Sequence, residues 1–356
     1  MKSAILTLFL VFALSVPSAA LELDALEQAL PEDASQILQQ ITPAAPDTQK
    51  GFSALWDAVR GGFRERLQAS VRSAFLITAL CLLLSLVQSF AKTAGLALPD
   101  KITELTGATA VLLLALEDNG ALIHHAVQTV NALDGFTKTL TTVFAVASAA
   151  AGRPASAVAA AGATMLFSDI LFSLTRSLFL PGVIWYVLLH YLGVISGNPA
   201  FRQAAAAGKW GVTAFFKLFL TAFFVYLSFT GLVTGSADAA AVKTAQSLSG
   251  SVPLVGSVIA GASETILAGA SMLRAGVGLF GFLGAAAICL APLLNGICHF
   301  LVFKVLSVFA ASFAEGGAKA MLESLSGAYS MLVGILTACC AVQFLAIVVS
   351  MTVTAV

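Results

Sequence analysis

The sequence predicts an all-α protein, a polytopic membrane helix bundle with discontinuous or re-entrant helices. Hydrophobic residues make up 59% of the chain and charged residues only 10%, where a globular protein carries about a quarter charged. The apolar residues gather into runs long enough to cross the roughly 30 Å hydrocarbon layer at about 1.5 Å per residue. Between two sets of such runs lies Val242 to Gly278, too polar and too rich in Gly and Pro for an ordinary span. That stretch is the reason to expect broken helices. The formal net charge is zero, so no basic surface argues for nucleic acid. Abundant alanine and glycine suit helices packed in lipid, where small residues let backbones approach.

In chain order, residues 1–20 carry one basic residue, Lys2, an apolar run from Ala4 to Val16, and Pro17 followed by small residues. This is the pattern of a secretory signal peptide cut after Ala20, with an uncleaved first anchor as the alternative. Residues 21–70 are the one extended hydrophilic region. Leu23, Leu26 and Leu30, then Ile37, Leu38 and Ile41, recur at helical spacing until Pro43 to Pro46 interrupts them. So short a segment cannot bury a core alone, and it is expected to be exported and to dock on the membrane helices or a partner. Residues 71–235 hold the first membrane helices, beginning with a firm span from Val71 to Ala91. Arg60, Arg64, Arg66 and Arg72 before it set the positive-inside rule against the signal peptide. Ile102 to Leu133 reads as one helix with a polar middle at Glu117, Asp118 and Asn119, and Phe136 to Ala151 as a short separate span. Ala155 to Leu180 and Gly182 to Gly197 form a pair hinged at Pro181, with Trp185, Tyr186 and Tyr191 as an aromatic cluster of membrane-boundary type. Asn198 to Lys209 suits a short cytoplasmic loop, and Val212 to Val233 is a Phe-rich span. Residues 236–275 are the broken segment. Residues 276–356 are the C-terminal membrane helices, read as Val277 to Leu294, Gly296 to Phe313, an amphipathic piece from Ala318 to Leu325, and a last span from Tyr329 to Val353. About seven crossings are expected on length alone.

Within the broken segment Pro253 removes an amide donor, and Gly250, Gly256, Gly261 and Gly269 loosen the backbone. Such backbone at membrane depth needs protein or water around it. The segment therefore reads as a re-entrant or half-buried helical pair lining an internal interface, with Glu264 as its acid. An external loop with an amphipathic helix lying on the lipid is the alternative, because Lys243, Glu264 and Arg274 can all be solvated. The candidate pore or interface residues here are Glu264, Pro253, Gly256 and Lys243. Asp169 and Arg176 join them: seven residues apart, they share a helix face, and a charge in lipid is costly unless paired. Arg176 snorkelling to the interface is the plainer reading of the same pair.

Catalytic constellations are absent from the sequence. It contains no HExxH, GxSxG or P-loop, so the chain reads as a non-enzyme with no catalytic residue, cofactor or metal site. His124 and His125 point about 100° apart on a helix and read as interfacial polar residues. Asp169 and Glu264 are the candidates for a pair of intramembrane acids, and neither sits in a protease motif. The five cysteines, Cys81, Cys289, Cys298, Cys339 and Cys340, lie in apolar runs. Their odd number and the adjacent Cys339 and Cys340 argue against a disulfide framework and for small packing residues. What remains are the ingredients of a transporter, a channel subunit or an assembly platform.

Lys243-Thr244-Ala245, Gly250, Pro253, Gly256, Ala262 with Glu264-Thr265, and Val277-Gly278, followed by the same order of apolar spans to the C-terminus, resemble the stage III sporulation protein AE family. The resemblance is clear over residues 233–356, collinear but weaker before them, and not evident in residues 21–69. It implies a multi-pass protein of the mother-cell membrane around the forespore. Its implied partners are the other membrane proteins of one sporulation operon, membrane lipid and further copies of the chain, with no nucleic acid. The assembly so implied is a trans-envelope channel or secretion-like complex required for spore development. The family has no established catalytic residues, so none is carried over. An independent ion-coupled small-solute transporter, with Asp169, Arg176 and Glu264 handling substrate or protons, is the competing reading.

Overall fold

The computed structural model describes residues 26–38, 48–94, 100–150, 154–249, 256–310 and 316–352. The expected signal peptide lies outside them. The described residues are helical, with no strand among them, which is the all-α architecture that composition predicts. A helix closes its backbone hydrogen bonds within itself, which lipid demands of any spanning segment. The helices are α1 (Glu32–Leu38), α2 (Thr48–Thr93), α3 (Asp100–Ala150), α4 (Pro154–Leu174), a π-helical turn (Thr175–Phe179), α5 (Leu180–Ser196), α6 (Pro199–Ser249), α7 (Gly256–Ala310) and α8 (Gly317–Thr352).

Five stretches of these helices are long and apolar enough to cross a membrane: Gly51–Ala91, Lys101–Val146, Ala161–Ser196, Gly276–Phe309 and Gly317–Val348. The expected Val212–Val233 span lies in α6, partly on residues whose side chains are outside the description. Among the described residues several expected breaks are not breaks. Residues 134–135 do not divide α3: no proline stops the helix there, and open space surrounds Gly135. The hinge expected at Pro181 is instead a π turn, in which the Leu180 N–H bonds the Thr175 carbonyl five residues back. Pro292 is carried inside α7 without ending it, and the expected amphipathic piece and last span are one helix, α8. Nor is Asn198 to Lys209 a loop. Gly197, at φ 66°, caps α5 in the left-handed region glycine tolerates. Asn198 Oδ1 then accepts the Ala200 N–H at 2.9 Å, an N-cap that places Arg202 and Lys209 on the first turns of α6.

α8 is the post of the bundle. It packs against α3, α4, α5, α6 and α7, and 61% of its most apolar window is buried, against 17% for α2. Small residues set the close crossings. Gly317 lies against the Glu104 carbonyl and Ala108, and Gly107 against Ala318, so α3 and α8 nearly touch backbones. On α7, Gly281 receives Leu140 and Gly284 receives Phe136 and Leu30, while Gly296 receives Val333 of α8. Leu26, Leu30, Ala34 and Leu38 are buried, which docks α1 on α7. α2 is peripheral, with Phe75, Leu83 and Phe90 at 61–75% exposure turned outward.

The cysteines depart from the expectation. Cys289 of α7 and Cys340 of α8 are joined by a disulfide, with their Cα atoms 6.6 Å apart across 51 residues of sequence. Spacing along a chain carries no record of which helices will face each other, so the odd count misled. Cys81, Cys298 and Cys339 are free and buried, as packing residues are.

Candidate functional site

A polar constellation lies where α3, α4, the π turn and α8 meet. On α3, Asn131, Asp134, Thr137, Lys138 and Thr141 recur at spacings of three and four, which aligns them on one side of the helix. Asp134 is the hub. Its Oδ2 takes an ion pair from Arg176 Nη1 at 3.1 Å, and its Oδ1 lies 3.1 Å from Lys138 Nζ. Lys138 Nζ also reaches Asp169 Oδ1 at 2.9 Å, and Arg176 Nη1 donates to Asn131 Oδ1 at 2.7 Å. Two acids and two bases thus form a neutral chain of ion pairs. It is graded in depth: the Asp134 side chain is 12% exposed, Arg176 32%, Lys138 51% and Asp169 55%.

Asp169 and Arg176 therefore do not pair with each other. Both turn towards α3, where Asp134 and Lys138 link them, and Arg176 is engaged with two partners where snorkelling would leave it to the interface. Asp134 and Lys138 escaped sequence reading because they fall where one span was expected to end and the next to begin. The signal was present: Asn131, Asp134 and Lys138 follow the i, i+3, i+7 rule of a helix face, and an acid four residues before a base implies an uninterrupted helix.

Inward from the ion pairs the seam stays polar. Thr175, next to Arg176 in the π turn, lies 3.6 Å from Cys339 Sγ of α8. One turn along α8, Gln343 Oε1 contacts Thr137 Oγ1, whose single proton serves both it and the Leu133 carbonyl. Thr164 and Ser168, one turn apart on α4, are 2% and 1% exposed. Their hydroxyls and the Gln343 Nε2 have no hydrogen-bond partner among the described residues. Most helical threonines here, such as Thr129 and Thr142, return their proton to a carbonyl of the preceding turn. Buried polar atoms left without that bond call for water or a small polar guest.

The other expected residues are placed as follows. Lys243 is on α6, and Gly256 and Glu264 are on the first part of α7, all with helical backbone. Their side chains, and Pro253 altogether, lie outside the described residues. His124 Nε2 is 3.1 Å from Gln128 Nε2. The aromatic cluster divides: Trp185 is 65% exposed, Tyr186 is buried over Gly327, and Tyr191 shares a hydrogen bond of 2.8 Å with Thr109.

The fold and site together define a membrane helix bundle with a charged seam let into its apolar interior. No curated protein and no solved structure matches the chain. The family model for stage III sporulation protein AE matches residues 35–354, nearly the whole chain. The chain belongs to that family.

Proposed function

We propose that the chain is a non-enzymatic membrane subunit of a trans-envelope channel or secretion-like complex between mother cell and forespore, needed for spore development. The observation that carries this reading is family membership along residues 35–354, joined to five helices able to cross a membrane. It sits in the mother-cell membrane, beside the other membrane proteins of the same operon and further copies of itself, and takes no cofactor and no nucleic acid. The half-open charge seam supports the reading: a row of ion pairs on otherwise apolar helices is what a subunit uses to meet other polar groups within lipid. The test is complementation of a spore former that has lost its own copy. The wild-type chain restores spore yield and carries the operon's other membrane proteins with it on purification. Glu264→Ala, Pro253→Leu and Asp134→Asn insert in the membrane but lower spore yield at least tenfold. Normal yield from all three removes both the broken segment and the seam from the mechanism.

The charge seam itself favours a second reading, an ion-coupled transporter. Purified protein in liposomes would then carry protons or a small solute, and lose that flux on Asp134→Asn or Glu264→Gln.

A further inference from the structure

A cleft of about 400 Å³ opens away from the seam, where α1, α2, α3 and α7 converge, within the size range of ligand sites. Arg66 enters it from α2, His125 from α3, Asn295 from α7 and Asp33 from α1. Arg66 and Asp33 face the same space, yet neither is in an ion pair with the other or with any described residue. The α7 wall adds an acceptor. Ile288 and Pro292 both line the cleft, and Pro292 sits inside the helix without an N–H, so the Ile288 carbonyl four residues before it receives no backbone bond from that position. Gly62, one turn before Arg66, gives the guanidinium room to fold along α2, since a Cβ there would collide with it. On α2, Arg66 precedes the apolar run from Val71 by little more than one turn.

A guanidinium and a carboxylate in one cleft, each without an ion-pair partner among the described residues, ask for a guest bearing both opposite charges. We propose that this cleft binds a phosphate diester carrying a primary ammonium, the headgroup of phosphatidylethanolamine. The phosphate takes Arg66, by the two-pronged geometry guanidinium groups favour, with His125 and the Asn295 amide beside it. The ammonium donates to Asp33 and the Ile288 carbonyl. A quaternary ammonium has no proton to give them, and a glycerol headgroup brings no positive charge to Asp33.

The full chain, purified in detergent and mixed with phosphatidylethanolamine, phosphatidylglycerol and phosphatidylcholine, is read by native mass spectrometry. Wild type retains the ethanolamine lipid about tenfold over either other lipid, the size of one charge-assisted hydrogen bond. Arg66→Gln loses retention of that lipid, Arg66→Lys keeps part of it, and Asp33→Asn makes ethanolamine and glycerol lipids equal. Arg66→Lys guards against a misfolded Arg66→Gln, because it preserves the charge. Displacement by soluble glycerophosphoethanolamine at matched concentration assigns the cleft to a free phosphate ester with the same recognition; failure to displace keeps the lipid. Equal retention of phosphatidylglycerol by wild type, or unchanged selectivity in Asp33→Asn, overturns the proposal.

Discussion

The Asp134 side chain, 12% exposed among apolar helices, is held by two cations, Arg176 and Lys138. Asp134→Asn strands those cations beside a neutral amide. Thermal unfolding in detergent is expected to show a loss of about 1–3 kcal/mol. Asp169→Asn leaves Lys138 its second partner, Asp134, 3.1 Å away, so the expected loss is smaller. Replacing both halves of the inner pair, in Asp134→Leu with Arg176→Met, should cost less than the two single changes summed, because no orphaned charge remains. A different kind of prediction attaches to Lys209. Half-buried on α6, its ammonium stands 5.9 Å from the Tyr186 ring, and burial, then the nearby Lys304 charge, lowers its pKa from the ordinary 10.5. The folded chain thus releases this proton before the unfolded chain does, and between the two pKa values the unfolded chain holds more protons. Stability should therefore rise with pH up to about 10.4, and Lys209→Met should remove that slope relative to wild type. At this scale the sequence was partly legible. A charge in an apolar run announces itself, so Asp169 and Arg176 were found. Their partners were hidden because an ion pair between helices leaves no trace in the spacing of either one.

Glycines decide the crossings of the elements. A Cβ on Gly317 would strike the Glu104 carbonyl, a backbone atom that cannot swing aside. Gly317→Ala should cost about 1–3 kcal/mol and loosen α3 from α8, detectable as a fall in detergent melting temperature. Gly120→Ala is the matched control: nothing lies within 4 Å of a Cβ there, so it should stabilise by up to ~1 kcal/mol through helix propensity alone. Helix class was readable from composition, and the docking leucines of α1 from their period. Helix ends were not. Polar or proline-bearing dips such as Asp134, Pro181 and Pro292 resemble stops when each helix is read by itself. In the bundle Asp134 meets Arg176 and Lys138, while the π turn absorbs the amide that Pro181 lacks.

Across the whole molecule, the disulfide between Cys289 and Cys340 leaves three thiols, Cys81, Cys298 and Cys339. Alkylation of the denatured, unreduced chain should label three sites and of the reduced chain five, counted by intact mass. Five labels without reductant would remove the covalent link between α7 and α8. The family assignment was legible in the glycine and proline pattern of residues 243–278, although much of that pattern lies outside the described residues. A last consequence comes from α8, which packs on α3, α4, α5, α6 and α7 yet follows all of them along the chain. During synthesis α3 to α7 enter the bilayer before this shared neighbour exists. The ion pairs of α3 can close on α4 and the π turn, but its bare glycine face at Gly107, which Ala318 covers, must wait, so insertion machinery or a transient companion has to shelter it until α8 arrives. Shortening the chain from that side should then trigger proteolytic clearance of every helix already inserted, while loss of α1 should spare most of them.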